Sequence, residues 1–566
     1  MLVHIFLVLL KLLKMKYKGC IIFLFIWMPF LGFAQEVRKE VKVIKPYEPA
    51  VSDAFKINEL PQITDTIKFI PEFNYKIKQI PVATSFDIQP IKPAKMVGEP
   101  LKKLYRSHIK AGFGTYATPY LDASVTSLRS KNYVYGLKFN HFSANNKLKN
   151  KANEKVYTGF NENNLNLFGK VIFKDKVLNS DINYDLNKYY YYGYNTTKFP
   201  SDSIVPLKKD DLEMQKWNNL SFNAHLKSTH IDSLHVNYDI GINYNYFKDE
   251  FDAKENMFAV SANIDYFFEK EFIGIDSRIS YYKTDQTIDT VNYALVQFNP
   301  WVGAFGNKWQ IIAGINTYFE QEEAKYNVYP RISLHYNIID YFLVPYIEFS
   351  GKLQEVSYKS SLYENPFLKS GTNIKPLEIN KNIVAGFRGN ISSKIGFNLA
   401  VNFQEINNQY FYVNDTSEYL ENKFTVLYDD ISVLSFKGEI SYKRTEKLNL
   451  LLKGEFFKYT LEKEKYAWHK PDYIVSLSAH YLISNKFIIT SDIFALSKRY
   501  AKVYNNTNGF VELEGTIDIN FGVEYRYTKR LSAFVKLNNL TATKYYNWNQ
   551  YPTQGFHILF GLAYSL

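Results

Sequence analysis

A chain of 566 residues with 47 Tyr, 44 Phe, a single Cys and a formal charge of +12 is neither a disulfide-stapled scaffold nor a thiol enzyme. Its mean hydropathy is slightly negative and no segment beyond the N-terminal region approaches eighteen consecutive apolar residues, which excludes a helical membrane protein. The lysines are scattered rather than gathered on one face, so nucleic-acid binding is set aside too.

At the N-terminus, Lys11, Lys14, Lys16 and Lys18 precede an apolar run from Ile21 to Phe33 that ends Gly32-Phe33-Ala34 before Gln35. This predicts a signal peptide over residues 1–34, with an uncleaved anchor as the alternative. Cys20 precedes the apolar core, so a lipoprotein cleavage site is not expected, and the mature chain holds no thiol. Residues 35–106 carry eight of the nineteen prolines, and Pro61, Pro71 and Pro81 each follow an apolar residue. Proline is cheap in extended, unpaired backbone and costly in a central strand. The expectation is an extended periplasmic segment that docks onto something.

From His108 the pattern becomes strict alternation with short turns. Val236 to Tyr246 sets Val236, Tyr238, Ile240, Ile242 and Tyr244 against Asn237, Asp239, Gly241, Asn243 and Asn245. Thr516 to Tyr527 sets Ile517, Ile519, Phe521, Val523 and Tyr525 against Asp518, Asn520, Gly522, Glu524 and Arg526. Such a charged face does not sit in a dry core without partners, but it fits a watery interior behind a lipid-facing wall. Asp518, Asn520, Glu524, Arg526, Asn237, Asp239 and Asn243 are therefore the candidate lumen residues. Short polar turns such as 174–176, 445–447 and 484–486 alternate with longer joins at 144–157, 194–214, 357–380, 413–423 and 502–510. Counting along 107–566 gives an all-β, transmembrane antiparallel β-barrel of about twenty-two strands, with sixteen to twenty also compatible. An even count puts both barrel ends on the periplasmic side. The final stretch places Phe556, Ile558, Phe560, Leu562, Tyr564 and Leu566 on one face, which marks a closing strand that pairs near Ile109–Gly114. The tyrosines 189–192, 545 and 546, with Trp548, read as an interfacial aromatic girdle, or else as a carbohydrate platform.

No catalytic, cofactor or metal constellation emerges. His225, His230 and His235 are five apart and so alternate faces, no nucleophile elbow or phosphate loop appears, and Asp429-Asp430 fits a solvated pair better than a calcium site.

The ending NNLTATKYYNWNQYPTQGFHILFGLAYSL (Asn538 to Leu566) resembles the final strand pair of TonB-dependent outer-membrane receptors, especially those of Bacteroidota, in its N-L-T turn, its K-Y-Y element and its last amphipathic strand. The end of the signal, Phe33-Ala34-Gln35, is similar to that phylum's secreted proteins. The family's chains normally end in Phe or Trp, whereas this one ends in Leu566. The family also carries a globular plug ahead of its barrel, for which only 35–106 is available. The resemblance thus implies a plug-poor barrel in the outer membrane of a Gram-negative bacterium, serving solute uptake or a gated pore whose lumen 35–106 blocks. Glu40-Val41-Lys42-Val43-Ile44 resembles the family's energy-coupling box. Outer-membrane lipid is the expected partner, joined by a periplasmic protein or lipoprotein bound through 35–106. A non-transporting accessory barrel of an outer-membrane complex is the alternative. No enzyme activity is expected.

Overall fold

The wall follows from residues taken two at a time. In Asn237–Asp249, Ile240, Ile242 and Tyr244 are about two-fifths exposed, while Asn245, Phe247 and Asp249 on the other face are buried. Residues of this kind repeat on strand after strand, so one side of the sheet is apolar and bare and the other is polar and covered. A sheet of that composition closes on itself in lipid, because closure alone leaves no unpaired edge.

The computed structural model describes residues 104–566 apart from 197, 200–207, 231–234, 286–289, 323, 341 and 505–507. The chain divides into units 1–88 and 89–566, and the described residues belong to the second. The expected signal peptide, the proline-rich segment up to residue 103 and the box Glu40 to Ile44 lie outside them.

Twenty-two antiparallel strands form one sheet, each pairing with the next along the chain. The last, His557–Ser565, returns to the first, Ser107–Gly114, with Tyr564 opposite Ile109, Leu562 opposite Ala111 and Phe560 opposite Phe113. Backbone N–H groups of Arg106 and Ser107 donate to the Leu566 carbonyl at 2.6 and 3.1 Å, sealing the chain ends together. Phe534 lies across this seam. A Cβ on Gly112 would come within 2.9 Å of its ring, and one on Gly561 within 2.7 Å, so only glycine clears it at these two places.

Two stretches with weak alternation, 112–120 and 329–342, take definite form. The 112–120 corner is a tight hairpin turn with Tyr116 and Ala117 in left-handed backbone, and the 329–342 region is the strand Lys325–Tyr336 followed by the join 337–343. At the end that holds Ser107 and Leu566 (the proximal end), no join exceeds eight residues. The opposite, distal end carries all the longer ones: 145–159, 191–213, 355–376, 415–423, 462–472, 497–515 and 539–556. Four distal joins (115–117, 250–253, 286–289, 321–324) are nevertheless short, so the expected alternation is one-sided rather than strict.

From Phe258 to Phe268 on one strand, the outward residues stay free of charge. Ten steps at about 3.4 Å, tilted by about 40°, span roughly 25 Å, the height of a barrel's apolar band. No helix among the described residues is long and apolar enough to cross a membrane.

Candidate functional site

The distal mouth is closed from within the barrel itself. Two neighbouring elements do this. The first is the tip of the hairpin Ile395–Asn414 and Phe424–Arg444. Its pairing breaks register between Ile406 and Gln409, and Asn408 adopts left-handed backbone. Beyond the break, Phe411, Tyr412 and Val413 are buried in succession, which no one-faced strand allows. The tip has left the lipid-facing wall and passes over the mouth.

The second is the join 355–376, here called the lid. Ser357 caps a short helix, Tyr358–Glu364, in a reciprocal capping box with Ser360, and Asn365-Pro366 stops it. Tyr358, Ser361 and Leu362 form its buried face. The chain then pairs with the hairpin edge: Phe424 N–H donates to Phe367 O at 2.9 Å and Lys369 N–H to Phe424 O at 2.8 Å.

Three carboxylates fasten the lid around the ring. Asp249, buried, accepts from Tyr358 Oη (2.7 Å), Ser370 Oγ (2.5 Å), Gln215 Nε2 (3.2 Å) and the backbone N–H groups of Phe251 and Ala253. Glu355 accepts from Ser280, Tyr282 and Gln297. Glu364 accepts from Tyr410 and Tyr412, each at 3.0 Å, and from Lys470. Tyr363 Oη reaches Asp185 at 2.9 Å, and Lys369 pairs with Asp415 at 2.9 Å and Glu418 at 3.1 Å. Burial, then Asp249 beside it, pushes the Tyr358 hydroxyl well above its usual range, so it stays a donor. Burial lowers the Lys359 ammonium. The hydrogen bond to Asp415 raises Lys369 above the ordinary lysine range.

A buried histidine ties the remaining loops together. His469 Nδ1 donates to Tyr412 O at 3.0 Å, and Asn549 N–H donates to Nε2 at 3.2 Å. That pattern requires the neutral ring. Burial, and secondarily Arg499, lowers its pKa to about 3.

Beneath this cover lies a cavity of about 460 Å³. Its walls include Tyr189, Tyr192, Tyr363, Phe367, Trp548 and Tyr551, together with the amides of Asn520, Asn539, Asn547 and Gln554 and the carboxylates of Asp518 and Glu364. Neither Lys nor Arg lines it. Two polar atoms in its wall meet no partner among the described residues: Asp518 Oδ1 and Gln554 Nε2. The site joins aromatic faces to side-chain amides and two carboxylates, which suits holding a polar, ring-bearing or chain-like solute.

The tyrosines read from the sequence as a girdle belong here instead. Tyr190 and Tyr191 are almost wholly buried, and Tyr192 packs edge-on to Tyr551 at 4.8 Å. They fail as a lipid belt because the chain turns inward over the mouth at that point, where both faces find cover.

The seven sequence-predicted polar residues separate into three groups. Asp518 accepts from Tyr545 Oη (3.2 Å), and Asn520 accepts from the Asn539 N–H (3.0 Å), so both join the cavity wall. Glu524 accepts from Lys110 Nζ (2.9 Å) and Ser532 Oγ (2.7 Å) beside the seam, and Arg526 follows two residues on. On the far strands, Asn237 donates to Asp265 (2.9 Å), Asp239 meets His225 (3.2 Å) and Asn243 donates to Asn223 (2.8 Å) while accepting from Arg278 (3.3 Å). Asp429 is accounted for structurally: buried, it accepts the backbone N–H groups of Lys463 and Glu464 and so caps the join 462–472. Among the described residues no group of three or more His, Cys, Asp or Glu gathers in a metal-binding arrangement.

Sequence reasoning missed the lid and its three carboxylate anchors. The available signal was the composition of 357–368, whose Tyr358, Leu362, Tyr363, Phe367 and Leu368 are too apolar for a solvated loop.

No protein-family profile and no curated protein sequence matches the chain. Solved structures do. The chain is similar to the FrpB iron transporter from Neisseria meningitidis, with a TM-score of 0.62, 11% identity and 82% of each chain covered. It is similar to the ferric-catecholate import receptor Fiu from K12 E. coli, with a TM-score of 0.60, 10% identity and 82% of each chain covered. It is also similar to the pyoverdine outer membrane receptor FpvA from Pseudomonas aeruginosa PAO1, with a TM-score of 0.60, 11% identity and coverage of 83% of this chain and 79% of that one. At such identities the likeness is one of fold. The chain has the fold that these receptors and transporters share, in its case a closed antiparallel β-barrel of twenty-two strands.

Proposed function

We propose that this barrel is a gated uptake receptor: a solute enters the distal cavity, the lid 355–376 moves, and the polar inner wall carries the solute onward. The observation that carries this is the lid itself, a helix-bearing segment fastened over a cavity lined by aromatic rings, amides and carboxylates. A pore this wide leaks unless something blocks it. On this proposal Asp518 and Asn520 meet the solute first, Glu524, Arg526, Asn237, Asp239 and Asn243 line the way, and residues 35–106 obstruct the periplasmic end.

The test is conductance of the purified protein in planar bilayers, in four forms: full chain, lid replaced by a short Gly-Ser linker across 357–371, residues 35–100 deleted, and both changes together. Near-silence of the full chain and a large step in the doubly altered form support the gated receptor. Silence in all four overturns it. That outcome favours an accessory barrel of an outer-membrane complex, a role for which the many bonds around the lid also speak.

A further inference from the structure

The distal cavity sets negative charge in and behind aromatic walls. Asp518 and Glu364 line it. Two further carboxylates stand one tyrosine away, since Tyr189 donates to Glu162 and Tyr363 to Asp185. Lys470 meets Glu364 at 3.3 Å, and Lys359 of the lid is attracted by Glu255 and Asp185. The carboxylates outnumber these two ammonium groups, so the surroundings of the cavity stay negative. The inner wall continues the trend. Opposite the exposed Ile182 and Tyr184, Asp181 faces the lumen and accepts from Asn183 at 2.7 Å and Asn223 at 2.9 Å; three strands on, Asp265 accepts from Asn237 at 2.9 Å. Amides hold these carboxylates without cancelling their charge. The aromatic layer already takes an ammonium group of the chain's own. Lys423 is buried, with Nζ 5.2 Å from the ring centroids of both Tyr191 and Phe251. Those two rings pack in the same cluster as Phe367, Trp548 and Tyr551 of the cavity wall. A cation within about 6 Å of a ring is drawn to it, the more so where water is excluded.

We propose that the solute of this cavity is an organic cation, an amine-bearing chain, rather than an anionic chelate or a neutral sugar. The inference rests on the distal cavity being the place where solute enters. The rings take the alkyl part of such a chain, Asp518 and Glu364 take its charge, and the acidic face marked by Asp181 and Asp265 receives it next. An anionic chelate calls for arginine or lysine at its oxygens, and neither lines the wall. A neutral sugar gains nothing from the carboxylates behind the rings.

Isothermal titration of the full chain in a non-ionic detergent tests it, with spermidine, maltotriose and a ferric tris-catecholate as the three probes. Spermidine is expected to bind most tightly, and D518N/E364Q to weaken it tenfold or more. E405Q should bind like the parent, because Glu405 pairs with Lys381 at 2.8 Å on the outer face that carries the exposed Leu399 and Val401. Equal binding by the double variant, or tighter binding of either other probe by the parent, overturns the proposal. Heat-modifiability on gels reports folding. If the double variant does not fold, the parent in high salt decides: loss of spermidine supports the site and retention overturns it. If the closed lid keeps spermidine from the parent, Asp249→Ala, which loosens the lid without lining the cavity, should bind it, and silence in both overturns the proposal. Conductance of the doubly altered barrel without spermidine binding sinks the cation alone. Spermidine binding by a barrel silent in all four forms keeps the cation site and sinks uptake.

Discussion

His469 joins three segments while neutral, and this fixes the sign of a pH effect. Its pKa falls from the ordinary histidine value near 6.5 to about 3 in the folded protein. Between those values the unfolded loop binds more protons than the folded one, so stability is fully present above about pH 6.5 and drains away as pH falls. The slope is at most about 1.4 kcal/mol per pH unit. Hydrogen exchange of 462–472 and 539–556 should therefore quicken between pH 6.5 and 4, and a His469→Gln variant should lose that dependence. Nothing in the sequence separates His469 from the nine other histidines of the chain, because its partners, Tyr412 and Asn549, stand 57 and 80 residues away. The polar faces of Asn237–Asp249 and Thr516–Arg526 were legible, since alternation needs no knowledge of distant partners.

Elements divide along the same line. Strands and proximal turns announce themselves by local period and turn chemistry, and the expected count of about twenty-two matches the barrel. The distal closure does not, because a join that folds back over a mouth is polar only in part and buries residues on every side. Asp249 shows the difficulty: an acid at a strand end, with Glu250 and Asp252 close by, looks like any turn residue, yet it collects five donors, two of them from the lid. Asp249→Ala should leave those donors buried and unmet, loosening the lid by about 3–5 kcal/mol. Limited proteolysis should then cut within 357–371 while the barrel stays heat-modifiable. Intact protection of that segment would show that Glu355 and Glu364 hold the lid without it.

For the whole molecule the seam is decisive. His108 and Ser565 bond across 457 residues, so the barrel closes only when its two ends meet, and contacts that distant form slowly. Closure also requires Gly112 and Gly561 to stay bare beneath Phe534. Gly561→Leu should overpack this line by about 1–3 kcal/mol or more, lowering the temperature at which the folded band converts on gels. An unchanged temperature would mean that the backbone at Ala111 and Gly112, as well as the Phe534 ring, shifts aside.

The two elements over the mouth also differ in how they can move. The hairpin tip continues two barrel strands, so displacing it means unzipping a ladder. The lid hangs between Val344–Gln354 and Leu377–Ser392, strands that are already paired with each other. Apart from the two backbone bonds at Phe424, side chains alone hold it. It can swing out as one piece without disturbing the wall, on the microsecond-to-millisecond scale of enzyme lids rather than the far slower scale of strand exchange. Under the proposed gating, the mouth is a door hung on one side of a fixed frame, and the passage would lie on the lid's side of the hairpin.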